Sequence, residues 1–444
     1  MLSFLRKKLF EEVPIYSLVF TRVAFGGLMF YECFHYLFSP KNIIHNYFGV
    51  ERFRFKFYGF SWVEPLPENL MFLLFYALLF LSFLIIIGAF YRIAIILFTI
   101  GFTYTFLIDR AFYLNHFYMA ILYSALLCFM PANRYFSVDA LLRPKIKSNF
   151  IHFWPVFLLR SQTEIILLYA GIVKLNYEWL VRFMPLKIWF AQGSSVSFID
   201  YIFHLKYAPM LASYGTILLH LIGAPLLLWK PARIYVFLIY CCFHIINAIT
   251  FNIGIFPYLT IAVTLIFFNP DWPMKLLKIG YSLKEKALNQ LSNRKKNFIL
   301  TLILLWILIQ ILLPLRCLLY PGNVLWNREG HSFSWRMKLE NSSAKTDFLI
   351  IDQDSKEEWR VPDFYRRNPQ TDCEPDMILQ SAHHFRDIWV KEKGYKNISV
   401  YAFSLCSLNG RRPIIYINPT VDLAKEELGL HHYQWIMPFD QRLY

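Results

Sequence analysis

Residues 165–175 read Ile165-Ile166-Leu167-Leu168-Tyr169-Ala170-Gly171-Ile172-Val173-Lys174-Leu175, an apolar run with a single amine near its end. A lysine within a hydrocarbon-length segment is costly to hold there and marks a functional site unless it reaches the surface. The run belongs to an apolar segment, 155–179, long enough to cross a bilayer core, which takes about 20 such residues. Similar segments stand at 14–38, 69–91, 92–112, 114–132, 209–229, 233–251, 253–269 and 298–319. Of 444 residues, 57% are hydrophobic, 19% aromatic and only 17% charged, and mean hydropathy is +0.40. That composition belongs to integral membrane proteins. The expected fold is a membrane all-α bundle of about nine transmembrane helices over 1–319, followed by a small α+β extracytoplasmic domain over 320–444.

The start, Met1-Leu2-Ser3-Phe4-Leu5-Arg6-Lys7-Lys8, has too little apolar length before Glu11 and Glu12 for a cleaved signal, so the first span is expected to act as an uncleaved insertion signal. Short loops rich in Lys and Arg stay cytoplasmic. This places inside the N-terminus, the turn near Arg92, the stretch with Arg134, Arg143, Lys145 and Lys147, the Lys230/Arg233 turn, and 270–297 with its seven Lys or Arg. Everything after about residue 320 is then periplasmic or lumenal. The net charge of +15 is read as a topology and lipid-headgroup signal, with no nucleic-acid motif beside it.

In the C-terminal stretch, Asn397–Cys406 alternates with period two, Asn409-Gly410 signals a hairpin turn, and Arg412–Asn418 supplies a returning strand. Met377, Leu379, Phe385, Ile388 and Trp389 before Gly394 predict an amphipathic helix between Pro375 and Gly394. Of seven cysteines, Cys373 and Cys406 would share the oxidising compartment and are candidates for a disulfide, whereas Cys33, Cys128, Cys241, Cys242 and Cys317 lie in or beside spans.

The topology puts several polar groups at one depth near the outer leaflet. Lys174 stands five residues before Trp179, roughly 7.5 Å along a helix. Asn115 and His116 open the fourth span, and His244 and Asn247 lie one turn apart in the seventh, with Asn252 at its outer edge. Each has a plainer reading: Lys174 as a residue snorkelling to the interface, His116 as an interfacial histidine, His244 as a satisfied core histidine. Their common depth favours a site. No metal is expected, because chelating spacings are absent and the adjacent pairs His383-His384 and His431-His432 point to different faces. Arg22, deep in the first span, needs a partner, and Glu164, about ten residues inward of Lys174, is the expected one.

Several blocks, in order, resemble the vitamin K-dependent γ-glutamyl carboxylases and their bacterial relatives, which share a membrane region called the HTTM domain. They are Leu114–Tyr118, Asn133–Leu141, Leu159–Gln162, Ala170–Leu175 with Trp179, Phe243-His244 through Asn252–Tyr258, and Trp272-Pro273. In the outer domain they are Phe333–Met337, Pro375–Met377 and Asn418–Asp422, so the likeness covers about residues 14–440. The resemblance implies oxygenation of vitamin K hydroquinone by O2 to the epoxide, coupled to capture of CO2 by a peptidyl glutamate to give γ-carboxyglutamate. It implies Lys174 as catalytic base, His116 in support and His244 at the quinone site; Asn115, Asn247 and Asn252 are expected at the cofactor site from their common depth. A desolvated amine has its charged form disfavoured, which suits that base.

Two departures stand out. Val173 precedes Lys174 where the animal enzymes carry adjacent lysines, and Glu340 and Glu374 stand where they carry histidines. Two alternatives follow from the residues: a quinol-dependent oxygenase that forms epoxide without carboxylating glutamate, and a non-enzymatic membrane transporter or receptor using Lys174 to bind an anion. The second would ordinarily show paired, broken spans, and no such pairing is evident.

Overall fold

The computed structural model describes residues 2–39, 47–48, 53–251, 253–278, 288, 291–362 and 373–439. Each expected apolar segment folds as helix: α1 (Tyr16–Phe38), α2 (Glu68–Ile87), α3 (Tyr91–Leu107), α4 (Asn115–Phe129), α5 (Trp154–Ile172), α6 (Ala208–Leu226), α7 (Lys230–Thr250), α8 (Phe256–Phe267) and α9 (Asn293–Leu315). Among the described residues five of these, α1, α2, α6, α7 and α9, are both long and apolar enough to cross a membrane, while α3, α4 and α8 are shorter. Helix α5 carries Arg160, Gln162 and Glu164 along its length and is buried on most of its surface, as an inner helix of the bundle would be.

Arg22 corrects one expectation. It is fully buried in α1, but its guanidinium donates to the backbone carbonyls of Ala132 at 2.8 Å and Ile86 at 3.3 Å, and to that of Phe136. Both Glu164 carboxylate oxygens are buried without a hydrogen-bond partner among the described residues. Sequence spacing gave the two residues a common depth, but their directions around the helix axes differ. Arg22 instead clamps the α4–α5 connection onto the end of α2, where Gly88 (φ +66°) leaves no room for a side chain: a Cβ there would stand 2.7 Å from Arg22 Nη1. Arg22→Met is therefore expected to lower stability by about 2–4 kcal/mol by orphaning buried carbonyls. Glu164→Gln should add to it independently, within about 0.5 kcal/mol in a double-mutant cycle of thermal melts; a compensating double variant would restore the ion pair.

Strands β1 (Glu12–Pro14) and β2 (Phe150–His152) pair antiparallel, and the C-terminal region is built on a four-stranded antiparallel sheet in the order β4-β3-β5-β6, with β3 at Ser342–Asp352, β4 at Glu358–Pro362, β5 at Ile398–Leu408 and β6 at Ile414–Ile415. The expected hairpin is present: Leu405 pairs with Ile415, and Asn409 (φ +53°) and Gly410 (φ +73°) both take the left-handed conformation of a type I′ turn. The expected helix is α10 (Pro375–Lys391), which packs Met377, Ile378, Phe385 and Trp389 inward. Strand β3 was not anticipated, because its polar first half, Ser342–Thr346, hides the alternation that Phe348 and Ile350 complete. Cys373 and Cys406 are disulfide-bonded, with Cα atoms 6.0 Å apart, tying the start of α10 to β5.

Candidate functional site

Helix α5 ends at Ile172, two residues before the lysine. The amide of Val173 reaches the Tyr169 carbonyl at 3.0 Å, that of Lys174 reaches Gly171 at 3.0 Å, and the Asn176 side chain donates to the Val173 carbonyl at 2.9 Å. Lys174 thus leaves the helix on its closing turn, which shortens the expected 155–179 segment. Its Nζ folds back to donate to the Ala170 carbonyl, an unsatisfied acceptor of the helix end, at 2.7 Å. The amine lies 5.0 Å from the centre of the Trp179 ring, and the residue is only 5% exposed. No carboxylate pairs with it among the described residues.

A cavity of about 780 Å³ opens in front of that amine. Lys174, His116, His244, Asn115 and Asn247 all line it; Asn252 lies outside the described residues. His116 begins α4 and is 7% exposed, and Gly254 (φ +56°) comes so close that a Cβ there would stand 3.2 Å from its Nε2. His244 is 2% exposed, stacked on Tyr240 at 6.0 Å, with both ring nitrogens buried and without hydrogen-bond partners among the described residues. Asn115 accepts from the Tyr113 hydroxyl at 3.1 Å, whereas Asn247 donates to the Phe243 carbonyl of its own helix at 2.9 Å. Phe117, Phe243, Phe256 and Trp189 give the walls their apolar character.

Two lining residues escaped the sequence reading. His220 occupies a π-turn, Leu219–Gly223, within α6, a local widening that often marks a site. Its Nδ1 must donate to the Thr216 carbonyl at 2.7 Å, since a carbonyl only accepts. Gly171 makes the approach possible, because a Cβ there would come within 2.9 Å of the His220 Cβ. Glu32 of α1 is 7% exposed and faces the same space without an ion pair among the described residues. Both are ionisable groups within apolar runs, the signal that drew attention to Lys174.

The sheet-bearing C-terminal region covers one side of the cavity. The Trp179 indole donates to the Leu339 carbonyl at 3.1 Å, and the Tyr113 hydroxyl accepts from the Phe333 amide at 2.8 Å. Glu178, just after the lysine turn, pairs with Arg411 at 2.6 Å and Arg182 at 3.0 Å. On the rim Arg110 pairs with Asp376 and, at 3.4 Å, Glu374, while Arg328 pairs with Glu340 and, at 3.8 Å, Glu374. Burial alone would push the Glu340 carboxyl up, but Arg328 and His331 override it and hold it well below the usual carboxylate range. The adjacent histidine pairs diverge as expected, His383 to the carbonyls of Leu423 and Glu426, His384 onto the Phe53 ring. Among the described residues no group of three or more His, Cys, Asp or Glu gathers as a metal site would.

Membrane-length apolar helices, a sheet-bearing outer domain and a shared cavity lined by one lysine and several histidines define a class of membrane protein built around an internal polar site. The model of the HTTM domain matches residues 10–272, and that of the vitamin K-dependent gamma-carboxylase, lumenal domain, matches residues 295–442. The chain belongs to the vitamin K-dependent γ-carboxylase family. No solved structure matches it.

Proposed function

We propose that this protein couples oxygenation of reduced vitamin K to carboxylation of glutamate in a peptide or protein, with its outer domain facing the periplasm or lumen and the nine helical segments spanning or lining the membrane. The observation that carries the reading is the Lys174 amine: buried, held by the Ala170 carbonyl and the Trp179 face with no carboxylate among the described residues, and opening onto a cavity shared with His116, His220 and His244. The disulfide supports the compartment.

The cavity suits a quinol. Its aromatic walls match a fused ring and a lipophilic chain, and the two unpartnered nitrogens of His244 are polar positions that a bound hydroxyl would satisfy. His244, His116 and Asn115 would hold the ring. When bound, reduced vitamin K with O2 supplies the strong base that the carboxylation needs. Lys174 Nζ donates one N–H to Ala170 and keeps its lone pair for a proton from the cavity. His116, packed against Gly254 and lining the same cavity, would donate or accept a hydrogen bond to the bound ring. Water kept from the bound ring would be unable to quench a base of that strength.

A quinol oxygenase without carboxylation is the second reading, favoured by Val173 in place of a second lysine and by the engagement of Glu340 and Glu374 with Arg328. Purified protein given vitamin K hydroquinone, O2, labelled bicarbonate and a glutamate peptide is expected to form epoxide and fix label. Epoxide without label would leave the oxygenase; neither product from folded protein would overturn both.

A further inference from the structure

The turn that carries Lys174 is gripped at its far end by the C-terminal region. Glu178 stands four residues after the lysine and directly before Trp179, whose ring centre lies 5.0 Å from the Lys174 Nζ. The Glu178 side chain is 4% exposed and both oxygens are engaged, Oε1 by Arg411 at 2.6 Å, Oε2 by Arg182 at 3.0 Å and by the Asn409 carboxamide at 3.0 Å. Two of these three donors, Asn409 and Arg411, belong to the connection between β5 and β6.

The residues of that connection suit the contact. Asn409 is fully buried: its amide donates to the Asn341 carbonyl at 2.8 Å, its Oδ1 accepts from the Asn341 amide at 2.9 Å, and its Nδ2 is left to reach Glu178. The left-handed backbone at 409 favours Asn, Asp or Gly, and of these only Asn offers a donor without adding a negative charge beside the carboxylate. The Arg411 side chain is 6% exposed, its guanidinium carbon 5.3 Å from the centre of the Phe439 ring, yet its Nε and Nη1 are buried without hydrogen-bond partners among the described residues. A guanidinium buried with two nitrogens unsatisfied costs stability, which points to geometry rather than fold strength as what its contact with Glu178 supplies. Gly410 seats the turn closely: a Cβ there would stand 3.4 Å from Ile188 Cδ1, in the short helix Leu186–Ala191 whose Leu186 and Trp189 line the cavity.

From Glu178 the contacts run back to the amine. The Trp179 amide donates to Asn176 Oδ1 at 3.2 Å, Asn176 Nδ2 donates to the Val173 carbonyl at 2.9 Å, and the Ser213 hydroxyl of α6 donates to the Trp179 carbonyl at 2.7 Å. A displaced Glu178 would carry its chain neighbour Trp179 off the amine.

We propose that Asn409 and Arg411 are positioning residues for the Lys174 amine: by seating Glu178 they keep Trp179 over it, so that the amine is set only while the β5–β6 connection is docked on the lysine turn. That the seated amine is the base rests on the reading under Proposed function; the seating does not.

Reductive methylation of the full-length protein, followed by peptide mass spectrometry, reads the exposure of Lys174 without any turnover. Lys391, whose side chain is 72% exposed, serves as the internal reference. Asn409→Asp keeps the turn but sets a carboxylate against Glu178, and is expected to raise the rate at Lys174 relative to Lys391 by about 10-fold, the factor that one hydrogen bond to a charged group carries. Arg411→Gln should act in the same direction, which covers the case in which Asn409→Asp fails to fold, and Arg411→Lys, which keeps the charge, should act less. Glu178→Gln/Asn409→Asp exchanges carboxylate and carboxamide and should restore the slow rate. In the single variants kcat for the epoxide should fall with KM for the quinol nearly unchanged, and the exchange should bring it back; a purely structural role would lower the melting temperature and leave both readouts of the folded protein in place. Folded single variants that modify Lys174 at the wild-type rate, or an exchange variant that stays fast, would overturn the proposal. A raised rate at Lys174 in a protein whose wild type forms no epoxide would instead remove the reading under Proposed function and leave the positioning standing.

Discussion

Lys174→Ala is expected to lower epoxide formation and label fixation together by about 10²–10⁴-fold, the usual contribution of a positioned general base. Thermal stability should stay within about 1 kcal/mol of wild type, because the amine is held by one carbonyl and no ion pair is broken. The paired loss matters, since a residue serving only the carboxylation half would spare the epoxide. Activity of the variant should recover in part as pH rises and the quinol ionises without help. Lys174→Arg should not rescue, as a guanidinium cannot give up its proton. Unequal losses of the two products, or no recovery at high pH, would count against the base.

Arg328→Met should destabilise the outer domain by about 3–5 kcal/mol, the cost of leaving buried carboxylates without their cation. Its side chain is 2% exposed and serves Glu340, Glu374 and, at 2.9 Å, the Ser342 hydroxyl. The pH dependence has a definite sign. Because the folded Glu340 carboxyl sits below its ordinary value of 4.5, its contribution is fully present above that pH and is lost as pH falls through the folded value. Without Arg328 the burial of Glu340 would dominate and favour the neutral acid. The gap in melting temperature between wild type and variant should therefore be largest near neutrality and narrow towards pH 4. A gap that widens on acidification would mean that the pair does not carry the stability.

Much of this was legible in the sequence, for reasons that also explain the rest. Apolar length alone located α1 to α9, and the alternation from Ile398 with the Asn409-Gly410 pair located the hairpin, since both are local signals. The grouping of Lys174, His116 and His244 was legible too, since all three line one cavity. Direction around a helix axis was not. Arg22 and Glu164 were matched by depth, yet Arg22 turns towards the Ala132 and Phe136 carbonyls. Glu32 and His220 carried the same cost as Lys174 and went unread, because neither belongs to a recognisable block. The rim could not be foreseen: Arg110 lies 264 residues from Glu374, and only the folded chain joins them.

The central claim is that a neutral Lys174 amine accepts the proton that starts the reaction. Chemical rescue of Lys174→Ala by small primary amines tests it most directly, because a cavity of about 780 Å³ has room for one beside a ring. Epoxide formation is expected to return with added amine, to saturate, and to grow with the amine's basicity when compared at equal free-base concentration. Rescue that is absent, or equal for amines of different basicity and similar size, would contradict it.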